Sequence, residues 1–203
     1  MAKVERVESD ALVAAGLEVM RLNGKPLTKI ESKGRSRLYK ISNGQTVRVR
    51  TCNDHVLIIV ADNPSTDAKL NIEGTDWLLI IMPEEERMAG KILAYLVPAD
   101  EAASEARRTH KEWLNTNPGT KGDNRTWNLW FRANGPGKAN NYASKWSKYK
   151  LKTDASVIPE NNGLDRSDAP TNINLEVDQA RQRIAKAAGV PVSSVKITID
   201  FVS

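Results

Sequence analysis

The sequence is poor in the residues that build covalent or metal-based scaffolds. Cys52 is the only cysteine among 203 residues, so neither a disulfide framework nor a cysteine-based zinc site is expected. No apolar run approaches the roughly 20 residues that span a bilayer, and the opening MAKVERVESD contains no apolar signal segment. We therefore expect a soluble, cytoplasmic protein of bacterial type that has no membrane partner.

Several catalytic signatures are also missing. The chain has no glycine-rich phosphate loop, and neither His55 nor His110 has a second histidine at metal-binding spacing. No motif surrounds Cys52. The sequence thus predicts no cofactor and no resident metal.

Positive charge is concentrated in two stretches, although the whole chain carries a formal net charge of only +5. Residues 25–50 contain eight basic residues and one acid, a net charge of +7, and residues 105–152 contain eleven basic residues and three acids, a net charge of +8. A merely soluble surface mixes the two signs, whereas a polyanion-binding surface separates them. The segregation favours a nucleic-acid partner.

Aromatic residues are interleaved with the cations of the second stretch. Trp113, Trp127, Trp130 and Trp146 all fall within residues 105–152. Indole rings stack on bases while neighbouring cations meet phosphates, which favours nucleic acid. Equally, TWNLWF (126–131) alternates like a buried strand, so these tryptophans also fit a structural role.

The order of elements is a helix, a run of strands, a strand pair and a second helix. The first helix is expected to have Ser9 as its N-cap and to stop at Gly24. Strands are predicted in LTKIES, RLYKIS, TVRVRT, VLIIVAD, TDWLLIIMP and KILAYLVP, and NPSTDAKLNIEG is expected to be a polar connection. Pro98 then opens the second helix.

The C-terminal region has a different character. Residues 153–172 lose apolar periodicity and read as a linker, and residues 173–203 read as a helix ending near Gly189 followed by a strand from Val195 to Phe201. One helix and one strand cannot bury a core alone. This module must dock on the main domain, residues 1–152, or on a second copy, giving a homodimer through the C-terminal strand.

Four short motifs carry a family resemblance: YKIS (39–42), TVRVRT (46–51), TDWLLII (75–81) and AYLVP (94–98). In this order they resemble the restriction-endonuclease-like fold of the PD-(D/E)XK nuclease superfamily. The resemblance covers roughly residues 8–115. It implies an α/β protein with a restriction-endonuclease-like mixed sheet flanked by helices, to which the small C-terminal helix-strand module is added.

The departures from that family are informative. Its active members hold a divalent metal with an aspartate and a Glu or Gln, and a nearby lysine assists the attacking water. Here Lys40, Arg48 and Arg50 occupy those three positions. Three cations repel Mg²⁺ but suit phosphate oxygens, which arginine grips through paired hydrogen bonds. If Arg48 and Arg50 grip phosphates, replacing both by Ala should weaken binding to all sequences and hardly change stability. They also fit an ordinary solvated strand face, in which case the double variant should bind as well as the parent.

The sequence therefore predicts a DNA-binding protein on a catalytically inactive nuclease-like fold, of the kind used by regulators or by plasmid or phage maintenance factors. The candidate nucleic-acid-binding residues are Lys33, Arg35, Arg37, Lys40, Arg48, Arg50, Arg107, Arg108, Lys111, Lys121, Arg125, Lys138, Lys145 and Lys148. One alternative is an active Mg²⁺-dependent nuclease with relocated carboxylates, for which Glu31, Glu73 and Asp76 are the candidates. Another is a protein-interaction module for an acidic partner.

Overall fold

The computed structural model describes residues 6–30, 37–117, 125–132, 141–153, 157–158, 181–182, 184–185 and 187–197. The chain divides into two compact units, Met1–Glu160 and Asn161–Ser203. Most of the predicted linker lies outside the described residues. Within the described ranges of the chain, no helix combines the length and the apolar composition needed to cross a membrane.

The first unit contains three α-helices and eight strands among its described residues. The helices are α1 (Ser9–Leu22), α2 (Ala99–Thr116) and the single turn α3 (Tyr142–Lys145), which a 3-10 turn follows at Ser147–Tyr149. The strands are β1 (Thr28–Lys29), β2 (Leu38–Lys40), β3 (Thr46–Thr51), β4 (Val56–Val60), β5 (Trp77–Pro83), β6 (Gly90–Pro98), β7 (Thr126–Trp130) and β8 (Val157–Ile158). The predicted order of a helix, strands, a strand pair and a helix is confirmed.

The strands form two sheets. Six of them make a mixed sheet in the order β1-β2-β3-β5-β6-β8, in which β3 and β5 are parallel and the other neighbouring pairs are antiparallel. The remaining two, β4 and β7, pair antiparallel as a separate two-stranded ribbon. The expected α/β protein with a mixed sheet flanked by helices is thus present.

Helix α1 packs on one face of the six-stranded sheet. Its apolar stripe, which includes Leu12, Val19 and Met20, is buried against side chains of β3, β5 and β6. At Gly16 the two elements approach so closely that an added Cβ would lie 2.1 Å from Ile81 Cδ1. We call this side of the sheet the helix face.

The structure confirms the predicted C-terminal end of α1 but not its predicted N-cap. The chain stops being helical before Gly24, which has a φ of +71°, so the predicted stop is confirmed. The predicted N-cap is wrong by one residue, because Glu8 occupies the cap position and Ser9 is the first helical residue. The Ser9 hydroxyl instead hydrogen-bonds Thr51 Oγ1 at 2.7 Å, which ties the start of α1 to β3.

The opposite side of the sheet is covered by a second layer made of the β4–β7 ribbon and α2, and we call it the ribbon face. Alternate residues of β5 point into this layer and pack against Leu57 and Ile59 of β4, Trp127 and Leu129 of β7, and the alanines of α2. Alternate residues of each strand point into this layer because successive side chains of a strand point to opposite faces. The inner face of the ribbon is therefore part of the hydrophobic core.

The connection between β3 and β5 is not a simple polar loop. Strand β4 leaves the main sheet to pair with β7, and the segment predicted as a polar connection then buries Ala68, Leu70 and Ile72. The Asn71 side chain accepts a hydrogen bond from Val60 N at 3.2 Å, and Asn71 N donates to Val60 O at 2.9 Å. This segment thus docks beside β4 and belongs to the core.

The second unit is described at only a few positions. Residues 181–182, 184–185 and 187–188 are helical, and the helix ends at Gly189, whose φ is +67°, as expected from the sequence. A 3-10 turn follows at Val192–Ser194. Residues 195–197 are not in a strand, and the rest of the strand predicted from Val195 to Phe201 lies outside the described residues. The dimer expected through that strand stays a prediction.

Candidate nucleic-acid interface

The ten described candidates for nucleic-acid binding fall in two regions of the first unit. Arg37, Lys40, Arg48 and Arg50 lie on or beside β2 and β3, whereas the others lie on or beside α2, β7 and α3. Outside the described residues are Lys33, Arg35, Lys121 and Lys138, together with the carboxylate candidate Glu31.

Arg48 and Arg50 stand on the ribbon face of β3. Their neighbours Val47 and Val49 are buried on the helix face, and Arg48 and Arg50 are in register with Leu78 and Ile80 of β5. Paired residues of neighbouring strands share a face, so both arginines point toward the second layer. Each is half-buried, which is more than an ordinary solvated strand face would give.

Arg50 reaches across to the ribbon. Its guanidinium donates a hydrogen bond to the carbonyl of Ile58 on β4 at 2.5 Å. Burial lowers the pKa of Arg50, and the neighbouring Arg48 lowers it further, while Cys52 works in the opposite direction. Because Asn71 engages Val60 and Arg50 engages Ile58, the edge of β4 away from β7 has partners at these two positions.

Lys40 completes a basic cluster of three residues with Arg48 and Arg50. Leu38 is in register with Arg48 and Lys40 with Thr46, so the Lys40 side chain lies on the same sheet face as the arginines. It is exposed, and no described residue forms an ion pair with it. The structure therefore places Lys40, Arg48 and Arg50 on the ribbon face of neighbouring strands, with Lys40 level with Thr46.

Arg37 has a structural partner. Its guanidinium pairs with Asp10 Oδ1 at 2.7 Å and donates to Ser9 Oγ at 2.7 Å. Both partners lie in the first turn of α1, where a carboxylate is favoured by the helix dipole. Arg37 thus anchors the approach to β2 on the start of α1.

Carboxylates engage both arginines of α2 and both lysines of the 142–149 segment. Arg107 pairs with Glu73 and also donates to Ala68 O at 3.0 Å, which holds the connection before β5 against α2. Arg108 bridges Glu105, at 3.0 Å, and Glu112. The two lysines of the 142–149 segment also face α2: Lys145 contacts Glu105 at 2.6 Å and Lys148 lies 3.9 Å from Glu101.

Glu105 is the centre of this network. Burial raises its pKa, but hydrogen bonds from Lys145, Arg108 and Tyr142 outweigh burial and hold the pKa below its usual range. The hydroxyl of Tyr142 donates to Glu105 at 3.0 Å. Burial, with the adjacent Glu105 charge, correspondingly raises the pKa of Tyr142. One carboxylate thus satisfies two cations and a buried phenol.

Glu101 has a similar role at an earlier turn of α2. It accepts a hydrogen bond from Trp146 Nε1 at 3.0 Å and another from the Tyr149 hydroxyl. Trp146 is fully buried and Trp127 nearly so, so the aromatic residues of the basic stretch serve largely as core. Trp113 remains exposed at 37%.

The carboxylates considered for catalysis have other partners. Asp76 accepts hydrogen bonds from Thr46 N at 2.7 Å and from Thr46 Oγ1 at 2.8 Å, which lower its pKa, and Glu73 is held by Arg107. Among the described residues, no three His, Cys, Asp or Glu side chains come together so as to hold a metal ion.

Five further exposed lysines carry unpaired charge and were not among the residues predicted from the sequence. No ion pair links any of them to a described residue: Lys25, Lys29, Lys91, Lys150 and Lys152. Lys111, which was predicted from the sequence, is also exposed and forms no ion pair with a described residue. Arg125 donates a weak hydrogen bond to Asp62 O at 3.5 Å. Residue type could have identified these lysines in the sequence. Arginine is preferred in partly buried ion pairs, so lysines are the cations more often left exposed.

No protein-family model, no curated protein and no solved structure matches the chain.

Proposed function

We propose that the protein binds duplex DNA through its phosphate backbone and does not cleave it. The first unit would do so on a nuclease-like core, the finer fold proposed from the four sequence motifs and the order of the elements. The single observation that carries the proposal is the basic cluster, in which Lys40, Arg48 and Arg50 share the ribbon face. The sequence resemblance assigns the nuclease metal site to these three positions.

The distribution of ion pairs supports the same function. The described arginines are largely engaged within the protein. Exposed lysines at the β1–β2 edge of the sheet instead keep their charge available to solvent, Lys40 on the ribbon face and Lys29 on the helix face. A hydrated lysine is a point charge that meets a phosphate without fixed geometry. Lysines on this edge would therefore provide sequence-independent affinity.

Binding should weaken steeply with salt. Each phosphate contact releases condensed counterions and contributes about −0.9 to the slope of log K against log salt concentration. Fluorescence anisotropy with a labelled duplex of about 20 base pairs, titrated at several salt concentrations between about 50 and 200 mM, would measure that slope. An affinity that does not change with salt would contradict the proposal, and so would a failure to bind duplex.

Cleavage is tested in the same samples. With Mg²⁺ or Mn²⁺ added, we expect the duplex to remain intact, because cations occupy the positions that correspond to metal ligands. Cleavage that disappears in a folded Asp76→Ala or Glu73→Ala variant would favour the nuclease instead. Binding to polyglutamate without binding to duplex would favour an interaction module for an acidic protein.

A further inference from the structure

Three aromatic rings of the second layer lie nearly parallel, and we call them the aromatic stack. The ring centroids of Trp127 on β7 and His110 on α2 lie 4.3 Å apart, at an interplanar angle of 14°. The ring centroids of His110 and Trp113 lie 6.1 Å apart, at an angle of 15°. Trp127 and His110 are buried, whereas Trp113 is exposed. The aromatic stack therefore runs from the core to the surface and ends in an exposed indole.

The indole of Trp113 is supported from the protein interior. Residues three positions apart on a helix are neighbours, so His110 and Trp113 share one side of α2. The His110 ring lies against Trp127, and its Nε2 lies 3.4 Å from the Pro64 carbonyl oxygen. Burial lowers the pKa of His110, so its imidazole is neutral at about pH 7. A neutral, buried ring therefore backs the Trp113 indole and limits how far it can turn.

The surroundings of Trp113 are polar. Its exposed neighbours along α2 include Lys111, Glu112, Asn115 and Thr116. Among the described residues, no other large apolar side chain of α2 is exposed. A site for a protein partner is typically marked by a contiguous apolar patch, which a single ring does not provide. A lone flat ring in polar surroundings instead suits a flat ligand with polar edges, and a nucleobase has that form.

Charges of both signs border the aromatic stack. Lys111 is exposed and forms no ion pair with a described residue, whereas Glu112 beside it is exposed and carries the opposite charge. The loop at residues 62–67, which contacts the stack, carries the exposed acids Asp62 and Asp67. Electrostatic attraction is therefore not what would hold a ligand here. Ring stacking needs no net charge, and every base has a flat π-face that can take part.

The state of the DNA decides whether a base can reach the indole. Inside a duplex the neighbouring pairs cover both faces of a base, and flipping the base out costs unstacking and unpairing energy. An unpaired base in a single-stranded extension is free to leave its neighbours and to stack on an aromatic side chain. An exposed indole therefore discriminates single-stranded from fully paired DNA without reading its sequence.

We propose that the exposed indole of Trp113 is a stacking site for one unpaired nucleobase. Together with the phosphate contacts, this site makes the protein prefer duplex DNA that carries a single-stranded extension over blunt duplex. The inference rests on the proposed function, to which it adds the DNA structure that is recognised and the residue responsible.

The test compares two labelled duplexes of about 20 base pairs, each with a single-stranded extension of about ten units. One extension contains thymidines and the other contains abasic sites, so the two carry equal numbers of phosphates and differ only in their bases. In anisotropy titrations, wild-type protein is expected to bind the thymidine extension about tenfold more tightly, the range of one base stack. The two salt slopes should agree, because stacking releases no condensed counterions.

Three variants assign the preference to one ring. Trp113→Leu keeps an apolar side chain without a ring and should bind the two extended duplexes equally, with an unchanged salt slope. Trp113→Phe keeps a ring and should retain part of the preference. The matched control is Trp130→Leu, which should retain the full preference, because the Arg132 guanidinium lies over the Trp130 ring at 5.4 Å from its centroid. Thermal melts check that each variant is folded.

The failures are distinguishable. If wild-type protein binds both extended duplexes equally and with the expected salt slope, Trp113 does not stack on a base and the proposed function stands. The same conclusion follows if folded Trp113→Leu keeps the preference for the thymidine extension. If wild-type protein binds neither blunt nor extended duplex, both proposals fail. If sedimentation shows a dimer that Trp113→Leu dissociates, the indole lies in an interface between copies and the inference is overturned.

Discussion

The two basic stretches carry almost the same excess of positive charge, yet their cations are used differently. In residues 105–152 several positive groups face acids: Arg107 meets Glu73, and Arg108 and Lys145 share Glu105. Lys111, Lys150 and Lys152 of the same stretch form no ion pair with any described residue. In residues 25–50 the exposed lysines Lys25, Lys29 and Lys40 form no ion pair with any described residue. Equal linear charge therefore hides two uses of cations: the ion-paired residues of 105–152 stabilise the fold, whereas the exposed lysines of both stretches keep their charge available.

The difference teaches that residue type matters more than net charge. An arginine fork makes paired hydrogen bonds with a fixed carboxylate, which suits packing between elements. A lysine loses hydration and side-chain entropy to do the same, and exposed lysine pairs contribute little to stability. Lysines that stay unpaired on a folded surface are accordingly the better candidates for phosphate contacts.

The largest expected effect is on DNA binding. Replacing Lys29 and Lys40 together by alanine should reduce the salt slope by about 1.8, at about 0.9 for each lost phosphate contact. At about 50 mM salt that change lowers affinity roughly a hundredfold. Salt titrations of duplex binding by anisotropy provide the measurement.

The matched control is Lys145→Ala with Lys148→Ala, which removes the same charge from the other stretch. Because Lys145 is paired with Glu105 and Lys148 lies near Glu101, binding should change less than about threefold. Equal losses in the two double variants would erase the distinction between unpaired and paired lysines.

The second effect is on stability. Glu105→Gln should lower the free energy of unfolding by about 2 kcal/mol, since the 15%-exposed carboxylate accepts from Arg108, Lys145 and Tyr142. Urea denaturation measures the loss. Glu84→Gln, at an exposed acid, should stay within about 0.5 kcal/mol of the wild type. Duplex affinity that rises in the Glu105→Gln variant would show that the pairing also masks the second stretch.

The third effect concerns Arg50, whose partner is backbone. Arg50→Ala should cost about 1 kcal/mol, because the Ile58 carbonyl loses a charged donor in a half-buried setting. The expectation from sequence that this strand face is neutral to stability would then be wrong. Lys40→Ala, on the neighbouring strand, should be silent in the same melts. Equal melting of the two variants would show that the contact with Ile58 does not stabilise the fold.

The smallest effect is a pH dependence. Since the pKa of Glu105 is lowered in the folded protein, its contribution is complete above its ordinary pKa of 4.5 and is lost as pH falls through the folded value. The stability gap between wild type and Glu105→Gln should therefore be constant from about pH 7 to about pH 6 and narrow by about pH 3. Urea melts at each pH measure it, and a gap that widens in acid would contradict the assignment.

Much of the fold could be predicted from sequence because it depends on local patterns. Alternation placed Val47 and Val49 on the face opposite Arg48 and Arg50, and the order of the elements followed from turn residues. What could not be predicted depends on partners distant in sequence. No local signal tells that Arg50 would meet Ile58 of another sheet, or that Lys145 would face Glu105.

The same limit explains the remaining errors. The Ser9 hydroxyl was expected to cap α1 but bonds Thr51 instead, since a strand 42 residues away competes for it. The segment around Leu70 looked polar because its buried residues alternate with charged and amide groups, and only docking beside β4 reveals its inner side. The carboxylates of Glu73 and Asp76 were likewise judged without their partners.

The route of the chain from β3 to β5 has a consequence for synthesis on the ribosome. The two strands are adjacent and parallel, but residues 52–76 separate them and place β4 in the other layer. A nascent chain that ends after β3 therefore has α1 and a hairpin without the central strand that α1 packs against at Ile81. The loop between β3 and β5 must close before the contacts between them can form. We therefore expect the N-terminal quarter of the chain to stay unfolded until β5 and β6 have emerged.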